Sequence, residues 1–91
     1  MRITWSDHVL GRMRVRELDP AWIERTVTNP EVTEPDPDHP GRFRAFAPVP
    51  ERDGRILRVV YEPIGDGDEI VIVTALLDRG RTRKWRQTGE V

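Results

Sequence analysis

The chain has 91 residues, a formal net charge of -1 and no cysteine. A chain of this length forms one small domain with a thin core, and we expect that domain to span residues 1–91. The absence of cysteine excludes disulfides, thiolate metal sites and cysteine nucleophiles. No apolar run approaches the roughly 18 residues of a membrane span, and there is no signal-peptide pattern. We therefore expect a soluble, cytoplasmic protein without a membrane partner.

The basic residues are concentrated near the two ends of the chain, and all of them except Lys84 are arginine. The stretch at residues 31–38 is acidic and contains no basic side chain. If the two ends meet in space, they form one basic face, and arginine is well suited to forked contacts with phosphate. A GC-rich genome is the alternative explanation of the arginine content.

The first third of the chain predicts one strand followed by two helices. Residues 2–5 are a candidate strand, and the Ser-Asp pair after it is a candidate N-cap for a helix over residues 8–16. The Asp-Pro pair at residues 19–20 is typical of the start of a second helix. The Asn-Pro pair at residues 29–30 ends that helix, because the residue before proline disfavours the helical region.

The remainder predicts three strands and a tail. The acidic, proline-rich stretch up to residue 41 is predicted as an exposed loop, with at most a partial strand at residues 31–33. Residues 41–47 alternate between two faces, and residues 55–62 and 69–77 form a hairpin around a Gly/Asp/Pro turn. Residues 78–91 are predicted as a basic C-terminal tail, because they are too charged for a core and contain a glycine.

The last predicted strand is apolar on both of its faces and therefore needs cover on both sides. One face carries Ile70, Ile72 and Leu76, and the other carries Val71, Val73, Ala75 and Leu77. The predicted fold class is α+β, in the order β-α-α-β-β-β, with an antiparallel sheet and two short helices packed on one face. We expect a homodimer or a hetero-complex to cover the other face.

Three features of the chain resemble the RelE/ParE toxin superfamily, nearest to its BrnT-like branch and the uncharacterised relatives of that branch. The first is the segment at residues 3–7, which leads into a helix with a His…Arg…Arg face. The second is the helix within residues 18–30, which ends in Asn-Pro. The third is the pattern Gly-Arg-x-Leu-x-Val-x-Tyr at residues 54–61, followed by an apolar strand that ends in Thr-Ala.

The resemblance implies a toxin-like endoribonuclease of a toxin–antitoxin system, which cleaves RNA without a metal or another cofactor and is held inactive by an antitoxin protein. The predicted catalytic residues are His8, which would transfer protons near neutral pH, and Arg12 and Arg58, which would hold the phosphate. We expect Arg58 to lie on the open face of the sheet beside Arg44. The predicted substrate-binding residues are Arg16, Arg42, Arg44, Arg79, Arg81, Arg83, Lys84 and Trp85.

Each candidate residue also has a structural interpretation. His8 next to a helix start suits a capping role, and the arginines of the first helix suit ion pairs with nearby glutamates. Arg58 suits an ion pair with a glutamate of the hairpin. Tyr61 is three residues from Arg58 on the same strand, so the two side chains point to opposite faces and Tyr61 belongs to the core. The chain therefore also suits a non-catalytic protein-binding module of the same fold.

Overall fold

The structure is a computed structural model that describes residues 1–91. The elements in chain order are β1 (Arg2–Trp5), α1 (Asp7–Arg16), α2 (Pro20–Thr28), β2 (Val32–Pro35), β3 (Phe43–Val49), β4 (Arg55–Ile64), β5 (Glu69–Leu77) and α3 (Arg79–Thr88). A 3₁₀ turn at Pro50–Arg52 connects β3 to β4. The strands form one five-stranded sheet in the order β1-β5-β4-β3-β2. The fold is therefore α+β, as predicted.

The predicted order β-α-α-β-β-β and the antiparallel sheet are corrected in three respects. β2 forms where we expected an exposed loop with at most a partial strand at residues 31–33, and it pairs antiparallel with β3. It tolerates Pro35 because it is an edge strand, where proline removes no hydrogen bond from the ladder. β1 runs parallel to β5, so the sheet is mixed. The third difference is α3, which forms where we predicted a basic tail over residues 78–91.

α1 and α2 cover one face of the sheet, which we call the first face. The hydroxyl of Ser6 accepts a hydrogen bond from the backbone N–H of Val9 at 3.1 Å, and the carboxylate of Asp19 accepts one from Ala21 at 2.8 Å. Both predicted N-caps therefore form. The core between these helices and the sheet consists of Val9, Met13, Leu18, Ile23, Val49, Leu57, Val59, Ile70, Ile72 and Ala75.

A β-bulge in β5 decides which of its side chains face the helices. The pairing with β4 jumps by one residue between Val60 and Tyr61, which leaves Val73 as an extra residue in β5. Strict alternation fails after that point, so Ala75 lies in the core and Leu76 turns to the other face. The predicted faces of β5 are therefore exchanged beyond the bulge.

α3 packs on the opposite side of the sheet, which we call the second face, because it contacts Phe46 and Ile56. These two residues alternate with the core residues of β3 and β4. The carboxylate of Asp78 caps α3 by accepting the backbone N–H of Arg81 at 2.9 Å, and Gly89 ends the helix with a φ of 75°. α3 thus covers part of the face for which we expected a partner.

Candidate nucleic-acid interface

The first turn of α3 is attached to the start of β4 through the backbone of Ile56. The N–H of Ile56 donates to the hydroxyl of Thr82 at 2.9 Å, and its carbonyl accepts from the N–H of Asp78 at 2.8 Å. The Thr82 hydroxyl in turn donates to the carbonyl of Asp78 at 2.7 Å. The Thr82 hydroxyl and the backbone N–H and C=O groups of Ile56 and Asp78 are all satisfied in this network, so the position of α3 beside β4 is well defined.

The next turn of α3 packs against the loop that precedes β4. A Cβ atom at Gly54 would lie 3.3 Å from the ring of Trp85, and Gly54 has a φ of +72°. Both the close approach of the indole and the left-handed backbone therefore favour glycine at this position. The indole of Trp85 is half-buried by this contact, and the contact brings the side of α3 close to Arg55.

Two adjoining grooves open where α3, the start of β4, the end of β5 and the end of α1 meet; together we call them the end groove. The first groove has a volume of about 510 Å³, and Leu77 is the only apolar residue among the eight that line it. The second has a volume of about 340 Å³, and both grooves share Arg55, Leu77 and Arg79. Six arginines line the end groove: Arg16, Arg52, Arg55, Arg79, Arg83 and Arg86.

The local structure explains why these arginines converge. Arg79, Arg83 and Arg86 are spaced by four and three residues, which places them along one side of α3. Arg16 is the last residue of α1, and it lines the same groove as Arg79. Arg16, from the basic N-terminal part of the chain, therefore meets Arg79, from the basic C-terminal part, which is the condition that the charge distribution set for one basic face.

None of the six arginines of the end groove forms an ion pair with a carboxylate. Three of them donate one hydrogen bond each to a backbone carbonyl: Arg16 to Ala75 at 2.7 Å, Arg52 to Glu17 at 3.1 Å and Arg86 to Asp53 at 3.1 Å. The other three donate no side-chain hydrogen bond. Because a guanidinium carries five N–H donors, most of the donors in the end groove have no partner within the protein.

Four other arginines lie on or near the second face, and each is paired with a carboxylate. We call them the second-face cluster. The pairs are Arg42–Glu62 at 3.3 Å, Arg44–Asp38 at 3.9 Å, Arg58–Asp78 at 3.5 Å and Arg81–Glu34 at 2.7 Å. The guanidinium of Arg81 also lies 4.1 Å from the centre of the Phe46 ring. This cluster connects α3, β2 and the acidic loop to the sheet.

Arg44 and Arg58 lie on neighbouring strands of the second face, as we expected. Arg44 is directly opposite Val60, two residues from Arg58 on β4. The Nε atoms of both arginines are buried and have no hydrogen-bond partner. A ligand reaches these two atoms only if the surrounding side chains move, so the geometry indicates a structural role for the pair.

The structure does not bring the predicted catalytic residues together. His8 and Arg12 are exposed on α1, which packs on the first face, whereas Arg58 lies on the second face. His8 is also about 12 Å along the helix axis from Arg16, given 1.5 Å per residue over eight residues. Tyr61 stacks on Phe43 with ring centres 5.8 Å apart, and burial raises the pKa of its phenol.

The remaining predicted residues all lie on α3, but their surroundings differ. Arg79 and Arg83 line the end groove, whereas Arg81 belongs to the second-face cluster. Lys84 is exposed and lines neither groove, and Trp85 is used in packing. Sequence reasoning missed Arg52 and Arg55, and it indicated Arg86 only as part of the basic tail. No group of three or more His, Cys, Asp or Glu residues is arranged to hold a metal ion.

The fold and the site define a small α+β protein with an arginine-lined groove at one end of its sheet. The chain belongs to the family described as "Domain of unknown function (DUF4258)", whose sequence model matches residues 5–76. Comparisons with curated proteins and with solved structures found no match. The matched range includes Arg16, Arg52 and Arg55 but ends before α3, which supplies the other three arginines of the groove. None of the helices is long and apolar enough to span a membrane.

Proposed function

We propose that the protein is a metal-independent, toxin-like endoribonuclease that holds its RNA substrate in the end groove. The observation that carries this proposal is the convergence of six arginines without a carboxylate partner in a chain whose net charge is only -1. Concentrated, unneutralised guanidinium groups suit a polyanion, and their forked donors match phosphate oxygens.

RNA provides part of the chemistry itself. Its 2′-hydroxyl loses its proton to water as the oxygen attacks the adjacent phosphate, negative charge develops on the phosphorane oxygens, and the 5′-oxygen takes up a proton from water as it leaves, with a 2′,3′-cyclic phosphate as the other product. The end groove contributes positive charge fixed around that phosphate, which guanidinium groups supply without a metal ion. The proposal therefore moves the phosphate-binding role from Arg58, which is paired with Asp78, to the end groove. It assigns His8 and Arg12 no contact with the scissile phosphate.

The experiment compares induced expression of the wild-type chain with that of the double variant Arg79→Ala, Arg83→Ala, while growth and total RNA are followed. We expect growth arrest and RNA decay with the wild type, and relief of both with the double variant. Lys84→Ala is the matched control, because it removes a positive charge from the same helix outside the groove, and it should behave as the wild type does. Purified protein should cleave RNA in the presence of EDTA. Intact RNA under these conditions would refute the proposal.

A non-catalytic protein-binding module is the second candidate, and the composition of the end groove favours it. Asp78 is the only carboxylate in the lining, and the lining contains no histidine, glutamate, tyrosine or lysine. Asp78 is already engaged as the cap of α3. The same arginines would then bind an acidic segment of a partner protein, such as an antitoxin. A wild-type chain that leaves RNA intact but binds a glutamate-rich peptide more tightly than an RNA oligonucleotide would support this candidate.

Oligomeric state is a separate part of the proposal. β5 is apolar on both faces, and α3 covers only part of the second face, so we propose that a homodimer or a partner covers the rest. Light scattering across a range of protein concentrations tests the homodimer. A mass that stays at that of one 10.6 kDa chain at high concentration would contradict it.

A further inference from the structure

We infer that the end groove is a track for one strand of RNA, and that Arg55 is the central phosphate ligand on this track. The inference rests on the proposed function for the choice of RNA, and it adds the form of the substrate and the residue at the centre of the contact. Two features of the structure carry it: the position of Arg55 and the arrangement of the arginines of α3.

Arg55 lies at the junction of the two grooves and lines both of them. It is the first residue of β4, where its backbone is paired with Val49 of β3, so it projects from a rigid element. The side chain is half-buried and forms neither an ion pair nor a hydrogen bond within the protein. In binding interfaces the residues at the partly enclosed centre contribute most of the binding energy, and those at the exposed rim contribute little. Arg79 also lines both grooves but is exposed, so Arg55 is the arginine at the partly enclosed centre.

The arginines of α3 form a single row beside Arg55. Along the helix axis, Arg83 lies about 6 Å from Arg79, and Arg86 lies about 4.5 Å further on. On the other side of Arg55, the track continues to Arg16 and Arg52 in the second groove. One row of positive charge follows one phosphate backbone, which is the arrangement that proteins use to bind single-stranded nucleic acid. A duplex presents two phosphate backbones, and the end groove has no second row of arginines to bind the second backbone.

The lining of the end groove contains three leucines and no aromatic residue. Leu77 lines both grooves, and Leu18 and Leu76 line the second. Bases are therefore not stacked on aromatic side chains in the groove, and affinity comes from the phosphates. Binding of this kind is insensitive to base sequence and weakens steeply as salt concentration rises, because bound cations are released from the strand.

The test measures the fluorescence anisotropy of a labelled single-stranded 2′-O-methyl oligonucleotide, which the protein cannot cleave because its 2′-oxygen is blocked. Dissociation constants are determined at several salt concentrations for the wild type and for the variants Arg55→Ala, Arg83→Ala and Lys84→Ala. Arg83 and Lys84 are adjacent, exposed and equally charged, but only Arg83 lines the groove. They are therefore a matched pair.

We expect Arg55→Ala to weaken binding by about 10- to 100-fold, the usual effect of losing hydrogen bonds to a charged group. Arg83→Ala should weaken it less, and it should reduce the slope of log affinity against log salt by about 0.7, the value for one phosphate contact on a single strand. Lys84→Ala should change affinity by no more than about twofold, because its charge acts only through a screened field. A duplex of the same length should bind more weakly than the single strand.

The inference is overturned if Arg55→Ala binds as the wild type does, if Arg83→Ala and Lys84→Ala are equivalent, or if the duplex binds as tightly as the single strand. Circular dichroism establishes that each variant is folded, and Arg55→Gln, which retains most of the side-chain volume without the charge, replaces Arg55→Ala if the latter does not fold. Because the oligonucleotide is uncleavable, strong binding by a wild type that cleaves no RNA would refute the nuclease proposal alone. Cleavage by a wild type whose Arg55→Ala variant binds normally would refute this inference alone.

Discussion

Two groups of arginines in this molecule differ in what surrounds them. In the second-face cluster every arginine has a carboxylate within 4 Å, whereas in the end groove none has. The arginines with a carboxylate partner are the ones committed to the fold. A guanidinium beside a carboxylate has its charge compensated within the chain, but one without such a partner keeps both its charge and its donors for a ligand.

The origin of the difference lies in the chain order. Glu34 and Asp38 belong to the acidic stretch before β3, and β2 brings that stretch to the edge of the sheet next to Arg44 and Arg81. The end groove is formed by Arg16 at the end of α1, by Arg52 and Arg55 from the middle of the chain and by three arginines of α3, and no residue of the acidic stretch lines it.

The largest effect should follow from uncoupling α3 from β4. Thr82→Val removes the hydroxyl that accepts the N–H of Ile56, while the volume of the side chain is nearly unchanged. Because the position is buried, the donor is left without a partner, and we expect the free energy of unfolding to fall by about 1–3 kcal/mol. Urea denaturation measures this change. Thr82→Ser retains the hydroxyl and should be much less destabilising; equal losses in the two variants would show that the hydrogen bond is not responsible.

A smaller effect on stability should distinguish the second-face cluster from the end groove. Arg81→Ala removes the ion pair with Glu34 and the contact with the Phe46 ring, so we expect a loss of about 1 kcal/mol in the free energy of unfolding. Arg83→Ala removes a side chain without a partner from the same helix, and stability should change by less than about 0.5 kcal/mol. Paired urea titrations of the two variants provide the measurement. If Arg83→Ala lowered the free energy of unfolding as much as Arg81→Ala does, the two groups of arginines would not differ in their contribution to stability.

The smallest effect concerns an exposed ion pair outside both groups. The guanidinium of Arg25 donates two hydrogen bonds to Glu51, at 3.0 and 2.8 Å, and holds the pKa of that carboxyl at about 2. Because the pKa is lower in the folded state, the pair stabilises the protein above the unfolded pKa of about 4.3, and this contribution is lost as the pH falls towards 2.

The variant Glu51→Gln should therefore have a lower Tm than the wild type at pH 6, and the two Tm values should converge near pH 2. Thermal unfolding between pH 2 and 6 provides the measurement. The difference should be small, since both side chains are nearly half exposed and solvent screens the pair. Glu24→Gln, at an exposed position that forms no ion pair, is the control and should show no such convergence. A Tm difference that persists at pH 2 would assign the effect to something other than this pair.

Local signals in the sequence predicted the first half of the fold well. The caps of α1 and α2 depend on short contacts such as Ser6 to Val9, which the sequence order already contains. The hairpin of β4 and β5 likewise follows from two apolar runs around a turn. The parallel pairing of β1 with β5 and the bulge at Val73 depend on contacts between distant segments, and no local pattern indicates them.

The end groove was only partly predictable, because the sequence predicts a tail, and not a helix, for the residues that form α3. Gly80 suggested a break, but it lies in the first turn of the helix. Glycine in a helix costs about 1 kcal/mol relative to alanine, and the cap at Asp78 and the packing of Thr82 and Trp85 offset this cost. The signals that favoured a helix were the possible cap, the arginines spaced by four and three residues, and Gly89 at the end. Arg55 had no local signal, since only the docking of α3 makes it part of a groove.

The central claim is that the unpaired arginines of the end groove bind a phosphate backbone and that the paired arginines of the second face do not. The most direct test is an NMR titration of the ¹⁵N-labelled protein with the uncleavable single-stranded oligonucleotide. We predict that the amide shifts change progressively around Arg55, Arg79 and Arg83, and that those of Arg44 and Val60 on the second face remain unchanged. Shift changes centred on Arg44 and Val60, or none at saturating oligonucleotide, would contradict the claim.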